Sequence, residues 1–176
     1  SKDDKIYSRC ILHHYMEGIR DTKKLEFVED GFIEKNNINW IKGIGASAIN
    51  PEEKTVTLED GQVVEFDKLL IATGANTFFP PIPHLREAKN SIGFRNFDDC
   101  ETIMERAKEC ENIAVMGAGL VGIDVISGLL HYGKNVHLVE MQNRMLSIQL
   151  DKKAASTYEE AFAKEGIKQY YEKGVK

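Results

Sequence analysis

The sequence has few of the features that mark membrane, secreted or nucleic-acid-binding proteins. Its 176 residues contain 23 Lys and Arg against 28 Asp and Glu, a formal net charge of −5, and the basic residues form no block. Such a charge pattern offers no binding surface to a nucleic acid or an anionic membrane. The longest uncharged apolar stretch, residues 113–123, is interrupted by glycines and is far shorter than the roughly 18 residues of a membrane-spanning helix. We therefore expect neither partner.

Cysteine is also scarce. Cys10, Cys100 and Cys110 are the three present, and no two form a C-x-x-C pair. This odd set argues against a disulfide framework and against a cysteine zinc site, so we expect no metal and a reducing, cytoplasmic location. Cys100 shares a helical spacing with the apolar positions between 103 and 107, which predicts a place in the core.

A proline-rich segment divides the chain. Residues 78–83 hold three of the four prolines, so the segment must be extended and cannot pair as an interior strand. This pattern indicates a connection between two domains, residues 1–79 and 80–176. The chain opens on Ser1 and a charged run, which indicates that the true N-terminus lies elsewhere.

The pattern before the division predicts short helices and an antiparallel meander, with a hairpin at Asp60-Gly61. After it, strands alternate with helices, which is typical of a parallel sheet with helical crossovers. Asp98 and Asp99 are predicted to cap the first of these helices. The predicted fold class is α/β, a meander followed by a Rossmann-like parallel βαβαβ half-domain. The predicted helices cover residues 8–16, 27–35, 98–107, 120–132 and 151–165, and the predicted strands cover residues 38–41, 45–49, 55–58, 63–66, 69–72, 113–116, 136–139 and 167–171.

One glycine-rich turn has the context of a dinucleotide-binding site. The run Gly-Ala-Gly-Leu-Val-Gly, starting at Gly117, follows a predicted strand and opens a predicted helix. In such a motif Gly117 permits a tight turn, Gly119 lets a pyrophosphate approach the backbone, and Gly122 lets the helix pack on the strand. The phosphates would bind at the helix N-terminus, beside Leu120 and Val121. The alternative is a turn kept only for packing.

Acidic residues near this turn suggest how a dinucleotide is chosen. Glu140 ends the next predicted strand, where a carboxylate accepts hydrogen bonds from the adenosine ribose and disfavours the 2′-phosphate of NADP. Arg144 is either a surface arginine or a ligand of that phosphate. Asp124, in the first turn of the predicted helix, is either stabilised by the helix dipole or an acid beside the dinucleotide. His13 and His14 are adjacent on a helix and point in different directions, so we expect surface or packing roles.

Together these motifs resemble the FAD-dependent pyridine nucleotide oxidoreductases. The resemblance rests on Leu-Leu-Ile-Ala-Thr-Gly at 69–74, the glycine run at 117–122, and Val139-Glu140. Tyr7-Ser8-Arg9 and the segment 55–61 are similar to the branch of NADH oxidases, rubredoxin and ferredoxin reductases, and the flavoprotein part of NAD(P)H nitrite reductases. The resemblance implies a hydride transfer from NADH to FAD, with electrons passed on to oxygen, a small iron protein, a disulfide or nitrite.

The resemblance also implies a central fragment, because the family's first glycine motif would precede Tyr7. Residues 1–79 would be the C-terminal part of a truncated FAD domain, and residues 80–176 the first half of the NAD domain. His84 departs from the family, which has Gly after the Pro-Ile-Pro turn. The implied partners are dinucleotides, an electron-carrier protein or downstream redox domain, and further copies of the chain, since severed sheets leave unpaired edges. By family position, the residues near FAD are Ser8, Arg9, Ala48, Ala72, Thr73 and Gly74.

Cys10 lies where water-forming NADH oxidases and coenzyme A disulfide reductases carry a redox-active cysteine beside the flavin. The alternative is a small buried hydrophobe. Other function classes also remain open, namely a module that senses the NADH/NAD ratio and a methyltransferase-like domain, although Gly122 argues against the latter. We expect the 176 residues alone to be catalytically inert, with no tight FAD binding and at best weak NADH binding.

Overall fold

In a computed structural model, which describes residues 1–175, the chain forms two compact units. The first comprises Ser1–Ser8 and Glu26–Ala75, and the second comprises Arg9–Leu25 and the chain from Asn76 onward. These units differ from the predicted ranges in two places: residues 76–79 and the segment Arg9–Leu25, with its helix α1 (Leu12–Met16), are counted with the second unit. The assignment of the ranges to an FAD and an NAD domain stays a prediction.

The first unit contains an antiparallel three-stranded sheet. Its elements are helix α2 (Phe32–Lys35) and strands β1 (Ala46–Asn50), β2 (Thr55–Leu58) and β3 (Val63–Glu65). The strands pair in the order β1-β2-β3, which confirms the meander. The hairpin at Asp60-Gly61 is also confirmed, and Gly61 has a φ of +87°, a conformation that glycine adopts at little cost.

Three predicted elements of the first unit are wrong in type or extent. Residues 69–72, predicted as a strand, are irregular, and Leu70 is 87% exposed. A strand needs a hydrogen-bonded neighbour, and none of the described strands pairs with this segment. The helix predicted over 27–35 is shortened to α2, which follows Gly31 in a left-handed conformation. Residues 38–41 are irregular as well.

The second unit is built on a parallel sheet. Its further elements are α3 (Phe97–Glu109), β4 (Asn112–Met116), α4 (Leu120–Leu129), a 3-10 turn (Leu130–Tyr132), β5 (Asn135–Val139), α5 (Lys152–Lys164) and β6 (Lys168–Tyr170). All strands are parallel, in the order β4-β5-β6. This order confirms the predicted βαβαβ half-domain and the α/β class. None of the described helices is both long and apolar enough to cross a membrane.

The N-cap of helix α3 is Asn96, which precedes the predicted cap at Asp98 and Asp99, and of those two Asp99 takes part in the capping. The Asn96 side chain accepts a hydrogen bond from the Asp99 backbone N–H at 2.8 Å. The Asp99 carboxylate accepts one from the Asn96 N–H at 3.1 Å, which completes a capping box. Asn and Asp are about equally good caps, so the sequence pattern alone did not single out the first of them.

The core of the second unit lies between the sheet and its helices. Cys100 is fully buried there, as predicted, and its Sγ donates a hydrogen bond to Leu12 O at 3.7 Å. Burial raises the pKa of Cys100 to about 12, so the thiol stays protonated. Helix α1 packs on α4 through Met16, whose Cβ lies 2.9 Å from where a Cβ on Gly128 would be. The absence of a side chain at Gly128 therefore lets the two helices approach.

The proline-rich segment 78–83 forms no strand, as predicted, and lies within the second unit, shortly after the change of unit between Ala75 and Asn76. His84, next to this segment, has a φ of +62°. The turn therefore keeps the left-handed geometry that favours glycine, even though the residue is histidine.

Candidate dinucleotide-binding site

Two glycines of the turn between β4 and α4 are required by its geometry. Gly117 has a φ of +100°, and its N–H donates a hydrogen bond to Val139 O at 2.8 Å. A Cβ on Gly122 would lie 1.9 Å from Gly117 O. No atom fits at that distance, so Gly122 is what allows α4 to pack so close to the turn. A role in packing alone would explain both of these residues.

Gly119 has no such explanation. Its φ of −82° and ψ of −177° are open to any residue, and a Cβ there would meet no atom within 4 Å. Gly119 is the N-cap of α4, and no side chain caps this helix, although Ser, Thr, Asp and Asn are the stronger caps. The uncapped N–H groups of the first turn can therefore bind an anion, and the missing Cβ leaves room for it.

Leu120 and Val121 begin α4 and are 59% and 56% exposed. They lie beside Gly119, where the sequence predicts contact with the phosphates. The site therefore combines exposed apolar side chains with a helix N-terminus that has no side-chain cap, a combination that suits a nucleotide.

Glu140 follows β5 and reaches across to the glycine turn. Its Oε2 accepts a hydrogen bond from the Ala118 N–H at 2.6 Å, and its Oε1 accepts one from the Gln142 N–H at 2.7 Å. The structure thus brings together the two halves of the predicted motif. A carboxylate has about four lone-pair sites, so two acceptor positions remain for the hydroxyl groups of a ribose.

Asp124 lies in the second turn of α4, not in the first, because the helix begins at Leu120 and has no acidic residue in its first turn. The helix-dipole interpretation is therefore weakened, since that effect falls off within one turn. Asp124 Oδ1 instead lies 3.8 Å from His13 Nδ1. Burial raises the pKa of Asp124, while His13 and His14 act in the opposite direction.

Glu17, which sequence reasoning did not single out, joins α1 to α4. Its carboxylate accepts a hydrogen bond from Ser127 Oγ at 2.5 Å and contacts His14 Nδ1 at 2.9 Å. Burial alone would raise the pKa of Glu17, but these contacts outweigh it and leave the pKa lowered. No sequence signal links residues 110 positions apart, so the sequence could not predict this pair.

No metal-binding group of three or more His, Cys, Asp or Glu occurs within residues 1–175.

The residues assigned to FAD are spread over both units. Ala48 is exposed on β1, and Ala72, Thr73 and Gly74 lie in the exposed irregular segment after residue 69. Ser8 ends the first part of one unit, and Arg9 begins the other. Cys10 is exposed, in a 3-10 turn, so the alternative of a buried small hydrophobe is wrong. Their contacts with FAD stay predictions.

Two solved structures of oxidases share this fold. The water-forming NADH oxidase from Lactobacillus brevis, bound to NADH, is 24% identical with a TM-score of 0.89, and the match covers 100% of this chain and 40% of that one. An engineered water-forming NADPH oxidase bound to NADPH is 23% identical with a TM-score of 0.90 and the same coverage. At these identities the likeness shows the fold alone, and it does not favour NADH over NADPH.

Curated relatives are longer than this chain. The NADH oxidase of Enterococcus faecalis is 33% identical over 124 residues, which are 68% of this chain and 28% of the oxidase. The nitrite reductase [NAD(P)H] of Bacillus subtilis is 29% identical over 161 residues, 92% of this chain and 20% of the reductase. The chain therefore spans less than half the length of each. The family model for pyridine nucleotide-disulphide oxidoreductases matches residues 1–176, and the chain belongs to that family.

Proposed function

We propose that the glycine turn, the N-terminus of α4 and Glu140 bind NAD(H), and that the whole protein is a flavoenzyme that transfers a hydride from NADH to FAD. The observation that carries the proposal is Gly119, where neither backbone geometry nor packing calls for glycine. Relatives named NADH oxidase, nitrite reductase [NAD(P)H] and NADH-rubredoxin oxidoreductase support this reaction class. The family match leaves the methyltransferase alternative without support.

Different residues of the proposed site bind different parts of the dinucleotide. The N–H groups at the start of α4 bind the pyrophosphate, aided by the positive end of the helix dipole. Glu140 accepts hydrogen bonds from the adenosine ribose. A 2′-phosphate in place of a hydroxyl would bring like charges together, at a cost of about 4 kcal/mol for unit charges 4 Å apart near a protein surface. We therefore infer a preference for NAD(H).

This chain provides fewer binding features for FAD than for NAD(H). Among residues 1–175, the turn at 117–122 is the one strand–glycine–helix junction of the G-x-G-x-x-G type. The residues assigned to FAD are mostly exposed and supply no second pyrophosphate cradle. We infer that they contribute part of an FAD site in the whole protein, where bound flavin would accept the hydride. The 176 residues alone should not bind FAD tightly.

The electron acceptor differs among the proteins that this chain is similar to. Relatives are named NADH oxidase, nitrite reductase [NAD(P)H] and NADH-rubredoxin oxidoreductase, and a solved structure with the same fold is a complex of putidaredoxin reductase with putidaredoxin. An electron-carrier protein or a downstream redox domain is therefore a candidate partner. Cys10, which is exposed, is a candidate redox group for a disulfide or oxygen acceptor.

Replacing Gly119 by Ser tests the nucleotide site. The new side chain meets no atom within 4 Å and is a good N-cap, so the unfolding temperature should stay the same or rise. It also occupies the phosphate position and competes for the same N–H groups. Titration with NADH, followed by amide chemical shifts of Leu120 and Val121, should show at least about tenfold weaker binding.

Gly174→Ser is the matched control, because Gly174 also lies in open space without a left-handed backbone. This variant should bind NADH like the parent chain. An unchanged NADH affinity in Gly119→Ser, with the fold intact, would show that the dinucleotide does not approach α4 here.

A further inference from the structure

The loop from Gln142 to Leu150, which we call the arginine loop, is closed by the side chain of Arg144. Its Nε donates to Leu150 O at 3.1 Å, and its Nη2 donates to Ser147 O at 2.8 Å. Its Nη1 donates to Asn143 Oδ1 at 3.0 Å. All three nitrogens of the guanidinium thus bond within the loop. A charged donor on several neutral oxygens holds a loop more firmly than a single contact would.

The arginine loop is bonded in turn to the glycine turn. Leu146 is buried, and its N–H donates to Ala118 O at 2.9 Å. The Ala118 N–H donates on the other side to Glu140 Oε2 at 2.6 Å. Ala118 is therefore held through both of its polar backbone atoms. Leu146 reaches this position with a φ of +49°, an unfavourable conformation for leucine that the surrounding loop must stabilise.

A second bond anchors the far side of the loop. The N–H of Met145, a fully buried residue, donates to Glu159 Oε1 of α5 at 3.0 Å. The arginine loop is thus fixed between the start of the nucleotide-binding helix and the next crossover helix. Opening it to free the guanidinium would break the Arg144 bonds and release Leu146 from Ala118.

We propose that Arg144 is a positioning residue, which holds Ala118 and through it Glu140 in place for the ribose, and that it is not a ligand of a 2′-phosphate. This inference rests on the proposed NAD(H) site. The sequence allowed a surface arginine or a phosphate ligand at Arg144, and the proposed role replaces both because the guanidinium is bonded to the loop it closes. Three of the five guanidinium N–H groups are thus committed to the loop, and a bidentate grip on a 2′-phosphate would have to give up some of these bonds.

The test compares Arg144→Ala with Arg106→Ala, a matched control whose guanidinium makes an exposed ion pair with Glu109. In the chain without nucleotide, Arg144→Ala should make hydrogen exchange of the Leu146 and Ala118 amides about tenfold faster. The Gly117 amide is bonded to Val139 O, and its exchange rate is the internal reference. Arg106→Ala should change none of them. Unchanged protection of Leu146 and Ala118 would overturn the positioning role.

The nucleotide arm uses NADH and NADPH separately. Arg144→Ala should weaken both by a similar factor of about three to ten, so that their ratio stays constant. A selective loss of NADPH binding would show that Arg144 leaves its loop to bind the 2′-phosphate, and would overturn the proposal. If neither this chain nor the whole protein binds either nucleotide, the proposed function fails, while the exchange measurement still decides the role of Arg144. Arg144→Lys, which keeps the charge but not three donor nitrogens, replaces Arg144→Ala in both arms if the alanine variant does not fold.

Discussion

Replacing Gly122 by Ala should destabilise the fold while the neighbouring change at Gly119 does not. The added Cβ would lie 1.9 Å from Gly117 O. A close carbon–oxygen contact needs about 3.3 Å, so helix α4 and the turn must separate by about 1.4 Å. The perturbation therefore acts on the contact between α4 and the sheet, and its size follows from what α4 buries.

Helix α4 buries Val125, Ile126 and Leu129 in the core. Burial of each such side chain contributes about 1.5–3 kcal/mol, and a gap of 0.5–1 Å forfeits about a quarter to a half of its dispersion contacts. A separation of about 1.4 Å exceeds that gap, so at least about half of this contribution is lost, about 2–4 kcal/mol for the three side chains. The better helix propensity of alanine offsets about 1 kcal/mol of the loss. A net loss near 2 kcal/mol corresponds to about 4–8 °C in unfolding temperature for a chain of this size.

Thermal unfolding followed by far-ultraviolet circular dichroism measures this shift. Gly119→Ser is the control, because it adds a side chain to the same turn in open space and should leave the midpoint unchanged or raise it. If Gly122→Ala unfolds at the temperature of the parent chain, the close contact with Gly117 O does not govern the packing of α4, and the reasoning is refuted.

Two further predictions concern Glu17 and the hydride transfer. The contacts with Ser127 and His14 hold the pKa of Glu17 below its usual 4.5 in spite of burial. A carboxyl group with a lowered pKa stabilises the fold at pH values above its unfolded-state pKa, and this stabilisation is lost as the pH falls through its folded-state pKa. Glu17→Gln should therefore lower the unfolding free energy at pH 7 by about 1.5–3 kcal/mol, and the difference from the parent chain should become smaller below pH 4.5. The surface variant Glu109→Gln should show neither effect. A difference in unfolding free energy that stays constant with pH would contradict this prediction. In the whole protein with FAD bound, anaerobic NADH should bleach the flavin absorbance, and unchanged absorbance would disprove hydride transfer.

Local pattern was sufficient to predict most of the regular elements of the fold. Strand β2 and helix α4 were predicted within a few residues, because short alternating or apolar runs and their glycine ends encode them locally. The sequence also predicted that Glu140 and the glycine turn lie together, since Gly117, Gly119 and Glu140 belong to one βαβ unit whose connections are short; that they bind a nucleotide stays a proposal. The prediction for residues 69–72 failed because apolar composition marks a strand only where another strand is present to pair with it.

Long-range packing accounts for the rest. Segment Arg9–Leu25 is counted with the second unit because Met16 fits over Gly128 and the Glu17 carboxylate meets Ser127, contacts for which the sequence carries no periodic signal. The sequence left Asp124 with two roles, a helix-dipole carboxylate or an acid beside the dinucleotide, and gave no sign that its Oδ1 lies 3.8 Å from His13 Nδ1. Arg144 shows the difference most clearly. The sequence shows that Arg144 lies four residues after Glu140. Whether its guanidinium binds a phosphate or closes its own loop depends on where the carbonyl groups of Ser147 and Leu150 lie. Those positions are set only when the chain folds.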